Sequence, residues 1–95
     1  MIKGYFPAFG RRLKGWKAEA VDLRENELIV EFSQRNRGAV RLCLRGVIGF
    51  RDSGLIDAAL AEFQQEDKGS YKELTLVGLK GRVLFKCRFL EGELE

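Results

Sequence analysis

The 95-residue chain is 45% hydrophobic and 33% charged and has a net charge of +3, which fits one folded domain and excludes a disordered one. It has no histidine, which removes Ser–His and Cys–His catalysis and the commonest zinc ligand. No apolar run approaches the ~20 residues of a membrane helix, and residues 2–10 are too broken by Lys3, Gly4 and Pro7 for a signal-peptide core, so a cytoplasmic protein of bacterial style is expected.

Residues 1–17 hold five bases and no acid; the rest holds 12 bases and 14 acids. The high isoelectric point therefore comes from a basic N-terminal arm on a near-neutral body. Gly4, Pro7 and Gly10 oppose regular structure there. Phe6, Phe9, Leu13 and Trp16 are spaced by three, four and three, which predicts an irregular segment or short helix packing those four onto a sheet.

Residues 18–51 read as a three-stranded meander. A short first strand is expected over 19–23. A turn follows at 24–27, where Asn26 tolerates a left-handed conformation. The second strand, 27–33, points Leu28, Val30 and Phe32 inward, and 34–38 form a loop. Over 40–50, Val40, Leu42, Leu44, Ile48 and Phe50 share one parity. Arg41, Cys43, Arg45, Val47, Gly49 and Arg51 share the other, which predicts one long half-buried strand. Setting Phe32 opposite Val40 puts Val30 against Leu42 and Leu28 against Leu44. It also sets Glu31 against Arg41, Ile29 against Cys43 and Glu27 against Arg45. Slipping by one residue would bury arginines, so the register should be well specified.

Residues 53–67 read as a helix, capped by Asp52 or Ser53 and running from about residue 55 to 66. Leu55, Ile56, Ala59, Leu60 and Phe63 form its apolar stripe, with Asp57, Glu62 and Glu66 on the rim. Lys68 would complement its C-terminus and Gly69 would end it.

Residues 71–90 form the last hairpin, with a two-residue turn at Lys80 and Gly81. That turn sets Leu74 against Cys87, Leu76 against Phe85, Gly78 against Val83 and Glu73 against Arg88. One face holds Leu74, Leu76, Val83, Phe85, Cys87 and Phe89. The other holds Thr75, Val77, Leu79, Leu84, Lys86 and Arg88, and is half apolar at the turn end. A solvated face should not be, so either the aromatic arm or a second subunit is expected to cover Val77, Leu79 and Leu84. Residues 91–95 read as an acidic, frayed end.

The expected fold is α+β, an antiparallel sheet of about five strands in the order βββαββ with the helix packed on one face. That order is similar to several families of small bacterial uncharacterised and toxin-immunity proteins, which would imply a protein partner.

No residues suggest a catalytic site, a cofactor or a metal. Cys43 and Cys87 are expected as free thiols, with Cys87 in the core and Cys43 on the other face. The favoured function is a non-catalytic interaction domain that binds a protein partner or itself through Val77, Leu79 and Leu84. The alternative is a single-stranded nucleic-acid binder. It would use Arg11, Arg12, Lys14, Trp16 and Lys17 of the arm for phosphate contact and base stacking, with Arg35 and Arg37 as further anion contacts. Glu31 and Glu27 should neutralise Arg41 and Arg45, leaving Arg51 with the loop arginines.

Overall fold

The structure, a computed structural model, describes residues 2, 3, 6–79 and 84–95. Its elements are β1 (Ile2–Lys3), α1 (Pro7–Gly10), β2 (Lys17–Arg24), β3 (Glu27–Gln34), β4 (Gly38–Arg45), β5 (Gly49–Asp52), β6 (Leu60–Asp67), β7 (Lys72–Gly78), β8 (Leu84–Phe89) and β9 (Glu91–Leu94). The expected α+β fold is wrong. The chain builds two antiparallel sheets, ordered β1-β9-β4-β3-β2 and β5-β8-β7-β6. Among the described residues the only helix is the single turn α1. The similarity to immunity-type families rested on the βββαββ order and falls with it.

The hairpin registers follow from the alternation of side chains. Across β3 and β4, Phe32 faces Val40, Val30 faces Leu42 and Leu28 faces Leu44, so each buried apolar residue meets another apolar one. On the outer face Glu31 faces Arg41 and Glu27 faces Arg45, with N···O distances of 3.2 and 3.4 Å. Across β7 and β8, Leu74 faces Cys87, Leu76 faces Phe85 and Glu73 faces Arg88. The expected Lys80–Gly81 turn and the Gly78–Val83 pair lie outside the described residues. In the β2–β3 turn it is Glu25, with φ +55°, that takes the left-handed conformation, not Asn26.

The segment read as a helix, 53–67, is a turn followed by β6. Asp52 Oδ1 accepts from the Gly54 and Leu55 N–H groups at 3.0 and 2.7 Å, as an N-cap would. The chain then departs through Gly54 (φ +90°) and Asp57 (φ +71°), two conformations no helix contains. Tertiary pairing takes the backbone groups instead. Asp57 N donates to Ala18 O, Ala18 N to Ala58 O, Leu60 N to Trp16 O and Gly15 N to Leu60 O. Leu60 and Phe63 do share a face, but through a β-bulge. The register shifts between Leu60↔Gly78 and Glu62↔Val77, so the extra residue, Ala61, brings the i and i+3 side chains to one side.

The long third strand is also two strands. β4 lies in the first sheet and β5 in the second, with the break at Gly46 (φ +66°), where a Cβ would stand 2.8 Å from the Leu90 side chain. β8 passes into β9 at the same place: Arg45 pairs with Glu91, and Gly49 with Arg88. The two crossing strands therefore join the sheets at one corner. The contacts of residues 15–18 with 57–60 join them at the other, giving a flattened barrel. The acidic tail does not fray. β9 fills the free edge of β4, with Gly92 and Leu94 inward. The parity along β8–β9 flips at Leu90, so Phe89 and Gly92 are both buried.

One core fills the barrel, including Leu28, Val30, Phe32, Leu42, Leu44, Leu60, Phe63, Leu74, Leu76, Phe85 and Phe89. The arm belongs to it. Phe6, Leu13 and Trp16 are buried and Phe9 is half-buried. Phe6 packs its ring 6.2 Å from Phe89 and donates its N–H to Gln65 Oε1. Gly10 lets α1 lie directly on β6, since a Cβ there would stand 2.7 Å from Phe63 N. No described helix is long and apolar enough to cross a membrane.

Candidate interaction surfaces

The outer face of the β5-β8-β7-β6 sheet grades from acid to base. β6 contributes Glu62, Gln64 and Glu66; β7 contributes Glu73, Thr75 and Val77; β8 contributes Leu84, Lys86 and Arg88; β5 contributes Gly49 and Arg51. Glu73 receives Lys86 Nζ at 3.1 Å and Arg88 Nε at 3.5 Å. The Lys86 hydrogen bond holds the Glu73 carboxyl below its ordinary value, against the opposing effect of burial. Arg88 also sits 6.0 Å above the Tyr71 ring.

At the far end of that face Val77 pairs with Leu84. Val77 is half-buried, while Leu79 and Leu84 are 44% and 45% exposed. The arm does not reach them among the described contacts; its buried side chains go to the core. The basic half of the same face ends in a groove of about 370 Å³ lined by Gly49, Phe50, Arg51, Lys86 and Arg88.

The bases expected to contact nucleic acid enter one end of the other sheet. Lys17 opens β2 opposite Ser33, and the loop carrying Arg35 and Arg37 joins β3 to β4 just beyond it. Arg11, Arg12 and Lys14 are exposed in the turns leading to β2, and Arg35 and Arg37 are exposed too. Lys17 is engaged with Asp57 at 3.3 Å. Trp16 is 8% exposed and belongs to the core, so its ring is not offered to a base. Its Nε1 is buried without a partner among the described residues.

On the outer face of β4 and β9, Arg45 reaches Glu27, Glu91 and Glu93, the last through its Nη2. Glu93 is 2% exposed, and this partner is what permits a carboxylate there. The hydrogen bond to Glu93 raises the Arg45 pKa. Beside them the Cys43 thiol and carboxylate oxygens of Glu93 and Glu95 lie within 4.8 Å of one another. Burial first, then Glu95, Glu27 and Glu93, push the Cys43 thiol up, with Arg41 opposing. A thiol held in its neutral form beside an ion-paired carboxylate reads as packing. Cys87, in the core, is pushed up to about 12 by burial alone. Both cysteines are free.

Sequence reasoning missed the groove, because the long-strand reading put Phe50 on the core face and Arg51 on a strand exit. Phe50 leans on Phe85, with ring centroids 5.9 Å apart, yet stays 40% exposed. The one hint was Gly46 inside the alternating run, which the unbroken parity on either side concealed. Comparison of the chain with protein-family models, curated proteins and solved structures finds no match.

Proposed function

We propose that the chain is a small non-catalytic interaction domain that closes Val77, Leu79 and Leu84 against a second copy of itself or a partner protein. The observation that carries this is the pair Leu79 and Leu84, at 44% and 45% exposure, on a sheet face whose other candidate cover, the arm, sends its described aromatics Phe6 and Trp16 into the core. A second copy is the simplest occupant, because an isologous contact lets the same residues meet. Fully burying a leucine contributes about 1.5–3 kcal/mol, so the exposed part of each is worth about 1 kcal/mol. Four leucines across a two-fold would give roughly 4 kcal/mol, the low end of the cost of association. The leucines alone therefore leave no net affinity, and a measurable, concentration-dependent pairing needs further burial from the face around them, Val77 included. The test is mass by light scattering over a concentration series at low and moderate salt. The expected result is a rise above 10.8 kDa that persists in salt and is lost in Leu79→Lys and Leu84→Lys. A constant monomer mass ends the self-pairing form.

A second reading rests on the exposed bases Arg11, Arg12, Lys14, Arg35 and Arg37, with Lys17 at the start of β2: single-stranded nucleic acid held by phosphate contacts. Without the Trp16 ring it lacks a stacking platform. It requires salt-dependent oligonucleotide binding that disappears when Arg11, Arg12, Lys14 and Lys17 are neutralised. Unchanged affinity in that variant rules it out.

A further inference from the structure

β5 is an edge strand: β8 pairs with one side, and no described strand pairs with the other. Ser53 N donates to Leu84 O, and Arg51 pairs with Lys86. In an antiparallel ladder, bonded positions alternate. The backbone N–H and C=O of Phe50 therefore point away from β8, toward the open edge. Such edges are sites of strand addition unless they are blocked. This one carries no proline or lysine, and Ile48 and Phe50 are 60% and 40% exposed at it.

The two faces of the edge differ in chemistry. Arg51 lies on the outer face with Lys86 and Arg88, across from Gly49. A Cβ on Gly49 would meet nothing within 4 Å, so the groove is open between the cations. Lys86 and Arg88 share one carboxylate, Glu73, and among the described residues Arg51 makes no ion pair. Phe50 faces the opposite way, against Phe85. Residues directly opposite each other in paired strands share a face. An added strand would thus place alternate side chains over the cations and over Phe50.

We propose that the β5 edge and its basic groove take an extended acidic segment of a partner protein, one whose sequence alternates acidic and apolar residues. The acids meet Arg51, Lys86 and Arg88, the apolar residues meet Phe50, and the backbone pairs with Phe50 N–H and C=O. A second copy of β5 fits poorly, because it would bring two sets of the three cations to one face. The inference rests on reading the chain as an interaction domain, but it uses a different surface from Leu79 and Leu84.

The test titrates the 15N-labelled protein with a capped seven-residue peptide alternating valine and glutamate. Parallel titrations use the valine–lysine peptide and a 12-nucleotide oligo-dT. The expected result is saturable shifts at the Phe50 and Asp52 amides with the valine–glutamate peptide only, weakened at least tenfold in Arg51→Glu. Arg51 is exposed, so the variant keeps the fold, and its undisturbed spectrum elsewhere verifies this. Three results overturn the proposal: no shift at β5, equal response to the lysine peptide, or tighter binding of oligo-dT at the same amides. Shifts at β5 that follow protein concentration alone also overturn it, in favour of a second copy. Mass measured on the same samples separates the two readings. Peptide binding by a protein that stays monomeric fails the Leu79–Leu84 contact only. A dimer that ignores the peptide fails the groove only.

Discussion

Replacing Phe6 by alanine tests whether the arm is part of the fold. Phe6 is 1% exposed, packs on Phe89 at 6.2 Å and holds Gln65 through its N–H. Removing a buried phenylalanine ring costs about 3–5 kcal/mol, part transfer and part cavity. A domain of this size has on the order of 5–15 kcal/mol in all. With a urea m-value of about 1.5 kcal/mol per molar, the unfolding midpoint should fall by roughly 2–3 M with m unchanged. Phe9, half-buried, should cost markedly less. Gly10→Ala gives the same test a sign. On a free arm, alanine in the helical turn would stabilise by about 0.5–1 kcal/mol. On the docked arm its Cβ would stand 2.7 Å from Phe63 N, a backbone atom that cannot swing aside. The helix must lift, and the expected loss is about 1–3 kcal/mol. Equilibrium urea unfolding followed by Trp16 fluorescence reads both. A loss below about 1 kcal/mol in Phe6→Ala, with stabilisation in Gly10→Ala, would refute the docked arm. It would also return the arm as a cover for Leu79 and Leu84.

Three further outcomes are expected. Far-UV circular dichroism of the whole chain should be sheet-like, while an isolated 53–67 peptide should turn helical in trifluoroethanol; a helical spectrum for the intact protein would contradict β6. The Cys87 thiol is raised from 9.0 to about 12, so the stability it contributes is fully present below pH 9 and is lost as pH climbs toward 12. At about 1.4 kcal/mol per pKa step the ceiling is about 4 kcal/mol. Urea midpoints should fall more steeply across pH 9–12 in the wild type than in Cys87→Val, and equal slopes would count against it. Glu73 is held below its ordinary value by Lys86, so its contribution is present above the unfolded carboxylate range and disappears as pH falls through the lowered value. Glu73→Gln should flatten the acid limb of the stability profile, and an unchanged limb would show the pairing to be idle.

How far the sequence could be read depended on which forces acted locally. The β3–β4 and β7–β8 registers were legible because a one-residue slip exposes Leu28, Val30 and Phe32 and buries Arg41 and Arg45. The 53–67 segment was not. Its leucines, alanines and glutamates favour helix, its Asp52 cap is real, and the bulge at Ala61 reproduces helical spacing in a strand. Only the distant partners decide it, Trp16 just before β2, Ala18 on β2, and Val77 and Gly78 on β7, and propensity yields to such pairing. The break at Gly46 was hidden because the alternation runs through it unbroken. Its cause is Leu90, 44 positions away. β9 was missed because Glu91, Glu93 and Glu95 read as solvent-seeking, whereas Arg45 neutralises the buried Glu93. The apolar end of the outer face was legible from parity alone; the groove beside it was not, because it exists only once β5 leaves the first sheet.

Isotope-filtered NOE spectroscopy on a mixture of 13C-labelled and unlabelled protein, at the highest soluble concentration, tests the interaction surface most directly. Intermolecular contacts are expected at the methyl groups of Val77, Leu79 and Leu84. Contacts confined to other exposed methyls such as Leu23 or Ile56, or none at any concentration, would contradict it.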